Sequence, residues 1–419
     1  MFRNPIKGVQ LDNLRNPGGL MRLPAVTATE DCSRPGPSLS IMENRTDGYY
    51  YGAHFAPLRS GAASSVEMLG EGLTGDDLAM IPEHWLVYPT PPASAHTALA
   101  LLYVFLTAAA LVGNGLVIFI FSTTKSLRTS SNLLILQLAI LDFVMMAKAP
   151  IFIYNSAMKG FATGTLGCKI FALMGAYSGI GAGMTNACIA YDRHSTITRP
   201  LDGRLSRGKA LLMMSFVWIY ATPWALLPLF ETWGRYVPEG YLTSCTFDYL
   251  TNTFDTKLFV GCIFFCSYVI PMSFIIYFYS GIVKQVFAHE AALREQAKKM
   301  NVESLRSNQT AGQQSAEIRI AKAALTVCFL FVASWTPYGI MSLIGAFGNQ
   351  ELLTPGVTMI PAITCKAVAC IDPWVYAISH PKYRQELQRR MPWLQIDEPD
   401  DTASTTTTNT VNAPPAASA

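Results

Sequence analysis

The sequence has few charged residues for its length. Asp, Glu, Lys and Arg make up 14% of its 419 residues, while 51% are hydrophobic. A typical soluble domain has roughly 25% charged residues. Because so few charges cannot cover a soluble surface, much of the chain is expected to face lipid. The net charge of +3 is too small to indicate a nucleic-acid partner, and no basic stripe carries interleaved stacking aromatics.

The sequence also lacks the motifs of common enzymes and metal sites. No C-x-x-C pair occurs among its nine cysteines. His289-Glu290 begins like a zinc-protease helix, but Leu293 stands where the second histidine is required. The phosphate-binding G-x-x-x-x-G-K-[ST] loop and the G-x-S-x-G nucleophile elbow are both missing. We therefore expect neither an enzyme nor a metal protein.

Long apolar stretches are what the sequence does contain. Each is near the roughly 20 residues that cross a bilayer as a helix. Seven occur, at about 97–122, 132–157, 168–197, 209–230, 256–286, 318–347 and 355–379. Such unbroken apolarity does not suit a membrane barrel, whose strands alternate. The sequence therefore predicts an all-α membrane protein, with a seven-transmembrane helix bundle over 96–380.

The segments on either side of the bundle have different compositions. Lys and Arg concentrate in one set of loops, which places the C-terminus inside and the N-terminus outside. Residues 1–95 are then an extracellular tail with a glycosylation site at Asn44, and translation is hypothesised to start at Met42, with 1–41 upstream. Residues 381–419 are predicted to form a short amphipathic interfacial helix and a disordered tail with hydroxyls open to phosphorylation.

Several local motifs, taken in order, resemble those of the rhodopsin-like receptor family. They are Gly113-Asn114, Asp142, Asp192-Arg193-His194, Trp218, Pro271, Trp335-Thr336-Pro337 and Asp372-Pro373-Trp374-Val375-Tyr376. Finer stretches are similar to the ultraviolet-sensitive visual pigments of insects and other arthropods. They include KAPIFIYNS (148–156), ETWGRYVPEGYLTSCTFDYL (231–250), QAKKMNVESLRSN (296–308) and AISHPKYR (377–384).

The resemblance implies a light-activated receptor in the plasma membrane of photoreceptor cells, in the rhabdomere. Its cofactor would be 11-cis-retinal or a hydroxylated retinal. Its partners would be a heterotrimeric G protein, arrestin and a receptor kinase, in contact with membrane lipid. The His380-Pro381-Lys382 segment and the long third loop resemble invertebrate pigments that couple to Gq-class G proteins.

Lys366 is expected to carry the chromophore. A lysine near the middle of a membrane helix costs about 2.5–3.5 kcal/mol on insertion scales, which favours a functional role over a buried ion pair. It lies six residues before Asp372, the placement of the retinal-binding lysine in opsins, so the resemblance implies Schiff-base attachment there. Trp335 and Tyr338 resemble the aromatics that hold retinal, and Phe331, one helical turn earlier, is expected to line the same pocket.

The resemblance also identifies residues for three further roles: the counterion, spectral tuning and a disulfide. Phe171 is expected to line the retinal pocket. It stands where vertebrate pigments carry the counterion and cannot serve in that role, so Glu239 in the second extracellular loop is expected to act as the counterion. Lys148 is expected either to point into the pocket and shift absorption toward the ultraviolet, or to reach the headgroups. Cys168 and Cys245 are expected to form a disulfide rather than to remain two free thiols.

Two further groups follow from the family motifs. At the cytoplasmic end Arg193 is expected to pair with Asp192 and Glu317, with Tyr279 and Tyr376 stabilising the activated form; a solvated surface pair is the simpler interpretation of the same residues. Asn114, Asp142 and Asp372 are expected to share a hydrated polar network.

Other functions were considered for this sequence. A transporter would show internal repeats and broken helices, and neither is visible. The sequence is also compatible with a non-visual opsin or retinal photoisomerase, with a violet- or blue-tuned pigment, and with a receptor for a diffusible ligand.

Overall fold

The computed structural model describes residues 66–200, 202–300 and 308–394. Two short helices come first, α1 (Gly75–Ala79) and α2 (Glu83–Leu86). Seven membrane-length helical segments follow, which confirms the predicted fold class. They are α3 (Ala93–Thr123), α4 (Ser130–Ala147) with α5 (Ala149–Ala157), α6 (Gly164–Thr198), α7 (Arg207–Leu229), α8 (Phe254–Phe264) with α9 (Ile270–Met300), α10 (Asn308–Phe347) and α11 (Pro355–Ser379).

Helix α6 differs from the other long helices in composition. Within the described ranges, six helices are long and apolar enough by length and composition to cross a membrane, and α6 is not among them. Twenty of its 35 residues are buried, and many of these are Gly, Ala, Ser, Thr or Asn. It packs against α4, α7, α9 and α10. A helix surrounded by other helices needs small side chains for close packing rather than lipid-facing bulk.

Two of the long helices are interrupted at points that bear on function. The second segment breaks at Lys148, where Pro150 follows at the start of α5. Proline lacks the N–H that continues the helical hydrogen-bond ladder and restricts the residue before it, which accounts for the interruption. The fifth segment contains a π-helical turn, Phe265–Val269, between α8 and α9. Such turns are often found at functional sites.

A small antiparallel hairpin closes one end of the bundle. Strand β1 (Tyr236–Glu239) pairs with β2 (Ser244–Phe247), and Glu239 lies opposite Ser244. Gly240 in the connecting turn has φ +61°, and a Cβ there would lie 2.3 Å from Met359 Cε. Cys245 in β2 forms a disulfide with Cys168 in α6, which confirms the predicted pairing. The hairpin is thereby fixed to the central helix.

Residues 66–92 pack over the same end of the bundle. Trp85 in α2 is fully buried, and the neighbouring His84 contacts the Leu353 carbonyl oxygen at 2.8 Å. Asp77 in α1 accepts hydrogen bonds from the backbone N–H and hydroxyl of Thr165. The boundary predicted at residue 95 remains a prediction. Asn44 and the proposed start at Met42 lie outside the described residues.

The short helix predicted after the last span is present as α12 (Pro381–Arg390). His380 caps it, because Nδ1 accepts from the Tyr383 backbone N–H. Tyr383 and Leu387 are buried, and the Tyr383 ring stacks on Phe121 of α3 at 5.4 Å. The apolar side of α12 therefore packs against the bundle.

We expect that breaking the disulfide destabilises the protein. The bridge closes a 77-residue separation, and constraining a loop of that length in the unfolded chain is worth about 4–5 kcal/mol. Cys168→Ala and Cys245→Ala should each lower the thermal unfolding temperature of the purified protein in detergent. Cys262→Ala, which removes a free cysteine, is the control. Equal unfolding temperatures in all three variants would contradict the expectation.

Candidate functional site

A cavity lies inside the bundle, directly under the hairpin. Its empty space is about 960 Å³ including its mouth, near the upper end of the 300–1,000 Å³ usual for small-molecule sites. Most of its wall is apolar. The sequence assigned seven residues to chromophore attachment, the pocket wall, the counterion or spectral tuning, and all seven line this cavity. They are Lys148, Phe171, Glu239, Phe331, Trp335, Tyr338 and Lys366.

Lys366 enters the cavity from α11. It is 5% exposed, and its Nζ donates a hydrogen bond to the Ala362 carbonyl oxygen at 2.7 Å. That carbonyl lies one turn earlier in the same helix, so the bond keeps the amine against the cavity wall. The Tyr103 hydroxyl of α3 donates to the same carbonyl oxygen at 3.5 Å. The amine is therefore buried and oriented by short-range polar contacts.

Lys148 enters the same cavity from the break between α4 and α5. The residue is 5% exposed, and its Nζ lies 4.3 Å from the centre of the Phe171 ring. The Lys366 Nζ lies 5.8 Å from the same ring. Lys148 has room because Gly175 in α6 has no side chain, since a Cβ there would lie 2.2 Å from the Lys148 Nζ. Of the two orientations expected for Lys148, the structure has the inward one.

Glu239 is the only acid among the described residues that line the cavity. It is 2% exposed and accepts hydrogen bonds from Ser244 at 3.2 Å, Tyr249 at 3.4 Å and Tyr338 at 3.2 Å. Burial raises the pKa of the Glu239 carboxyl above its ordinary value, while Lys366 and the bonds from Ser244 and Tyr338 act in the opposite direction. The three donors and two nearby lysines favour its charged form against the cost of burial.

The charges around the cavity do not balance. Lys148 and Lys366 repel each other, and both act electrostatically on Glu239. One carboxylate can compensate one positive charge. Burying an uncompensated charge is costly, and such a group tends to lose its proton instead. The site therefore favours one protonated nitrogen and one neutral nitrogen.

Aromatic side chains from α10 form the opposite wall. Trp335 lies between Phe331, at 5.8 Å between ring centres, and Tyr338, at 6.2 Å. Glycines in α6 make the space for two of these rings. A Cβ at Gly179 would lie 2.5 Å from the Trp335 ring, and one at Gly183 would lie 2.9 Å from Phe331. These rings therefore reach the backbone surface of the central helix.

The predicted polar network is only partly joined. Asp142 and Asp372 are close enough to interact electrostatically, and both line one small cavity. The Asn114 amide instead donates to the backbone carbonyls of Ala369, at 2.7 Å, and Ala110, at 3.0 Å. Asn114 thus attaches α3 to α11, next to the aspartate pair.

The groups expected at the opposite end are partly described. Arg193 is buried and pairs with Asp192, which also accepts from Ser131 at 3.0 Å. Tyr279 is 6% exposed, contacts Cys328 Sγ at 3.8 Å and is close enough to Arg193 to interact electrostatically. The side chains of Glu317 and Tyr376 lie outside the described residues, so their roles stay predictions.

Sequence reasoning missed the residues that support the site. Ser244 and Tyr249 hold Glu239, and Tyr103 donates to the Ala362 carbonyl oxygen that also accepts from Lys366. No pattern along the chain marks these three, since they come together only in the folded molecule. A signal did exist for the glycines: Gly175, Gly179 and Gly183 recur every four residues, which puts them on one face of α6.

Comparisons with known proteins bear on this arrangement. Residues 113–376 match the family model described as "7 transmembrane receptor (rhodopsin family)". The chain is 83% identical to Opsin-2 of Manduca sexta over 379 residues, 90% of this chain and all of that one. It is 62% identical to "Opsin, ultraviolet-sensitive" of Apis mellifera, covering 89% and 99% of the two chains. A crystal structure of squid rhodopsin matches with TM-score 0.70 and 32% identity, over 76% of this chain and 92% of that one.

Replacing a glycine of α6 by alanine should destabilise the protein, by an amount that depends on which atoms the new Cβ would contact. Gly179→Ala should cost about 1–3 kcal/mol, because Trp335 is a rigid ring. Gly175→Ala should cost less, since the end of the Lys148 side chain can move. Gly208→Ala, in open space, is the control. The unfolding temperatures of the variants in detergent give the order of destabilisation. A Gly179→Ala protein with the wild-type unfolding temperature would contradict the close packing of Trp335 against α6.

Proposed function

We propose a mechanism by which light activates this protein. The chain belongs to the rhodopsin-type seven-transmembrane receptor family and, within that family, to the insect opsins. The protein is a light-activated, G-protein-coupled photoreceptor rather than an enzyme. It is an integral membrane protein that crosses the bilayer several times, and its chromophore is a retinal. The proposal concerns which residues hold the chromophore, how absorption is tuned and how the signal leaves the bundle.

Lys366 is proposed as the attachment site. When bound, retinal supplies an aldehyde that joins covalently to an amine, and a polyene that isomerises on absorbing light. The cavity fits such a group, because it is largely apolar and Lys366 Nζ opens into it. With one carboxylate for two amines, the site leaves one amine neutral, and a neutral amine is the form that attacks a carbonyl. Trp335, Phe331 and Phe171 provide apolar contact and exclude water.

The observation that supports ultraviolet tuning is the pair of lysines sharing one carboxylate. If Lys148 keeps its proton, Glu239 compensates it, and the nitrogen of Lys366 is left without a negative partner. That nitrogen then stays unprotonated. An unprotonated linkage has less delocalised π-electrons than a protonated one, so absorption moves toward the ultraviolet. Glu239 is thus proposed as the shared counter-charge, and Lys148 as the tuning residue.

The far end of the cavity bears on the form of the chromophore. Ser267, in the π-helical turn, has a buried hydroxyl without a hydrogen-bond partner among the described residues. Next to it in sequence, Tyr268 is hydrogen-bonded to Thr336, and both Ser267 and Tyr268 line the cavity. The Ser267 and Tyr268 hydroxyls would form hydrogen bonds with a hydroxyl group on the chromophore ring. The same space would also hold an unsubstituted ring. We propose 11-cis-retinal or a hydroxylated retinal.

The signal is proposed to leave through the opposite end. Trp335 contacts the chromophore cavity and belongs to α10, so its movement would displace that helix. The Asp192–Arg193 pair and the nearby Tyr279 are placed to respond. The receptor couples to a heterotrimeric G protein. A Gq-class partner, arrestin, a receptor kinase, an outside N-terminus and a rhabdomere location are further parts of the proposal.

Removing the Lys366 amine should abolish the chromophore band. Purified full chain would be reconstituted with 11-cis-retinal, and its absorption measured before and after illumination. The wild type should show a near-ultraviolet band that changes on illumination, and Lys366→Ala should lose it. Lys209→Ala, an exposed lysine at the start of α7, should keep it. A retained band in folded Lys366→Ala protein would contradict attachment at this residue.

Removing the Lys148 charge should move absorption into the visible. In Lys148→Met, Glu239 has only the Lys366 nitrogen to compensate, so that nitrogen should hold its proton. Adding Glu239→Gln should return the band to the ultraviolet, because no carboxylate then remains. Lys257→Met, a partly exposed lysine in α8, is the control. An unchanged absorption maximum in Lys148→Met would reject the tuning role while leaving attachment intact.

A further inference from the structure

The backbone carbonyl of Ala362 in α11 is shared by three side-chain donors. Its oxygen lies 2.7 Å from Lys366 Nζ, 3.3 Å from Cys365 Sγ and 3.5 Å from the Tyr103 hydroxyl. A carbonyl oxygen has two lone pairs, so three donors are more than it can satisfy well. The Tyr103 bond is also longer than the 2.5–3.0 Å usual between two oxygens. This hydroxyl is therefore free to donate to a better acceptor close by.

Tyr103 is held beside the Lys366 amine by its surroundings. The residue is 0% exposed, and its ring stacks on Phe152 of α5 with 3.8 Å between ring centres. Helix α3, which carries it, is joined to α11 at a second level, where Cys370 Sγ donates to the Leu106 carbonyl oxygen at 3.2 Å. The hydroxyl is thus fixed at the carbonyl that the amine also contacts.

The hydrogen bonds that the Lys366 nitrogen can make depend on its protonation. A protonated nitrogen donates, so it suits the Ala362 carbonyl. A neutral imine-type linkage carries no hydrogen on its nitrogen, which can then only accept, and the carbonyl loses its closest donor. The Tyr103 hydroxyl is a donor at the same place. Because a hydrogen bond to the neutral form favours that form over the charged one, such a donor would keep the nitrogen unprotonated.

The other titratable groups around the Lys366 nitrogen are less suited to donate to it. Ionised Glu239 has no hydrogen to give, and Tyr338 of α10 is already bonded to that carboxylate. Lys148 acts through its charge and makes no hydrogen bond to Lys366 within the described part of the chain. The Cys365 thiol is a weak donor, and its Sγ lies 4.0 Å from Nζ.

We propose that the Tyr103 hydroxyl is the hydrogen-bond donor to the neutral Lys366 nitrogen, both in the free amine and in its linkage to the chromophore. Tyr103 is then a positioning residue that supports ultraviolet absorption through a hydrogen bond, whereas Lys148 acts through charge. What concerns the linkage rests on the attachment at Lys366 proposed above. What concerns the free amine does not.

The full chain without chromophore tests the free amine. Trace acetylation with acetic anhydride modifies neutral amines, and mass spectrometry of the peptides gives the rate at each lysine as a function of pH. In Tyr103→Phe, which keeps the ring on Phe152, the pH of half-maximal rate at Lys366 should rise by about 0.5–1 unit, the effect of one hydrogen bond. Lys148, in the same cavity, measures reagent access and should not slow. An unchanged profile at Lys366, or equal slowing at both lysines, would overturn the proposal.

Protein reconstituted with 11-cis-retinal tests the linkage. Acid should convert the near-ultraviolet band into a visible band as the nitrogen gains a proton, and the midpoint in Tyr103→Phe should lie about 0.5–1 pH unit above that of the wild type. Tyr383→Phe, which removes a buried hydroxyl at the opposite end of the bundle, is the control and should leave the midpoint unchanged. An unchanged or lower midpoint in Tyr103→Phe would overturn the proposal, since a lower one means that the hydroxyl accepts from the protonated nitrogen.

Failure of the attachment itself would give a different result. The wild type would then show no chromophore band, while the acetylation profile of Lys366 would still depend on Tyr103. Cys365→Ala separates the thiol from the hydroxyl. A raised midpoint in Cys365→Ala together with an unchanged one in Tyr103→Phe would assign the donor to the thiol and overturn the proposal.

Discussion

The structure is organised around the burial of two lysines beside one carboxylate. Moving a charged group out of water is expensive unless a partner of opposite sign is fixed close to it. Glu239 can be that partner only if the β1–β2 hairpin stays inside the bundle mouth. The Cys168–Cys245 bridge and the hydrogen bonds from Ser244, Tyr249 and Tyr338 hold it there. The disulfide thus serves the electrostatics of the site as well as stability.

Helix α6 provides the space that this arrangement needs. Its glycines let the Lys148 amine and the Trp335 and Phe331 rings approach the helix backbone. The same small residues lower its apolarity, so it is the least lipid-like of the long helices. Close packing and a polar interior are linked here, because one helix carries the disulfide, the cavity floor and the Asp192–Arg193 pair. A substitution that adds bulk to this helix would act on all three.

Some of the site was accessible to sequence reasoning and some was not. Lys366, Glu239 and the cavity aromatics followed from the resemblance to opsins, and all line one cavity. The orientation of Lys148 stayed open, because a proline two residues later makes helical phase uncertain. Asp142 and Asp372 were anticipated as members of a shared network and line one small cavity, whereas Asn186, which lines the same cavity, was not anticipated. Residues far apart in the chain meet through helix packing, which periodicity along one helix does not encode.

The sequence by itself determined the number of spans, their approximate bounds and the lysine in the last span. These follow from apolar length and from the cost of burying a charge, both of which are local properties. Only the tertiary structure decided that two lysines face one carboxylate, that three donors hold Glu239, and that two aspartates and Asn186 line one small cavity. Those are balances of charge and hydrogen bonding between different helices. They exist only once packing has set the distances.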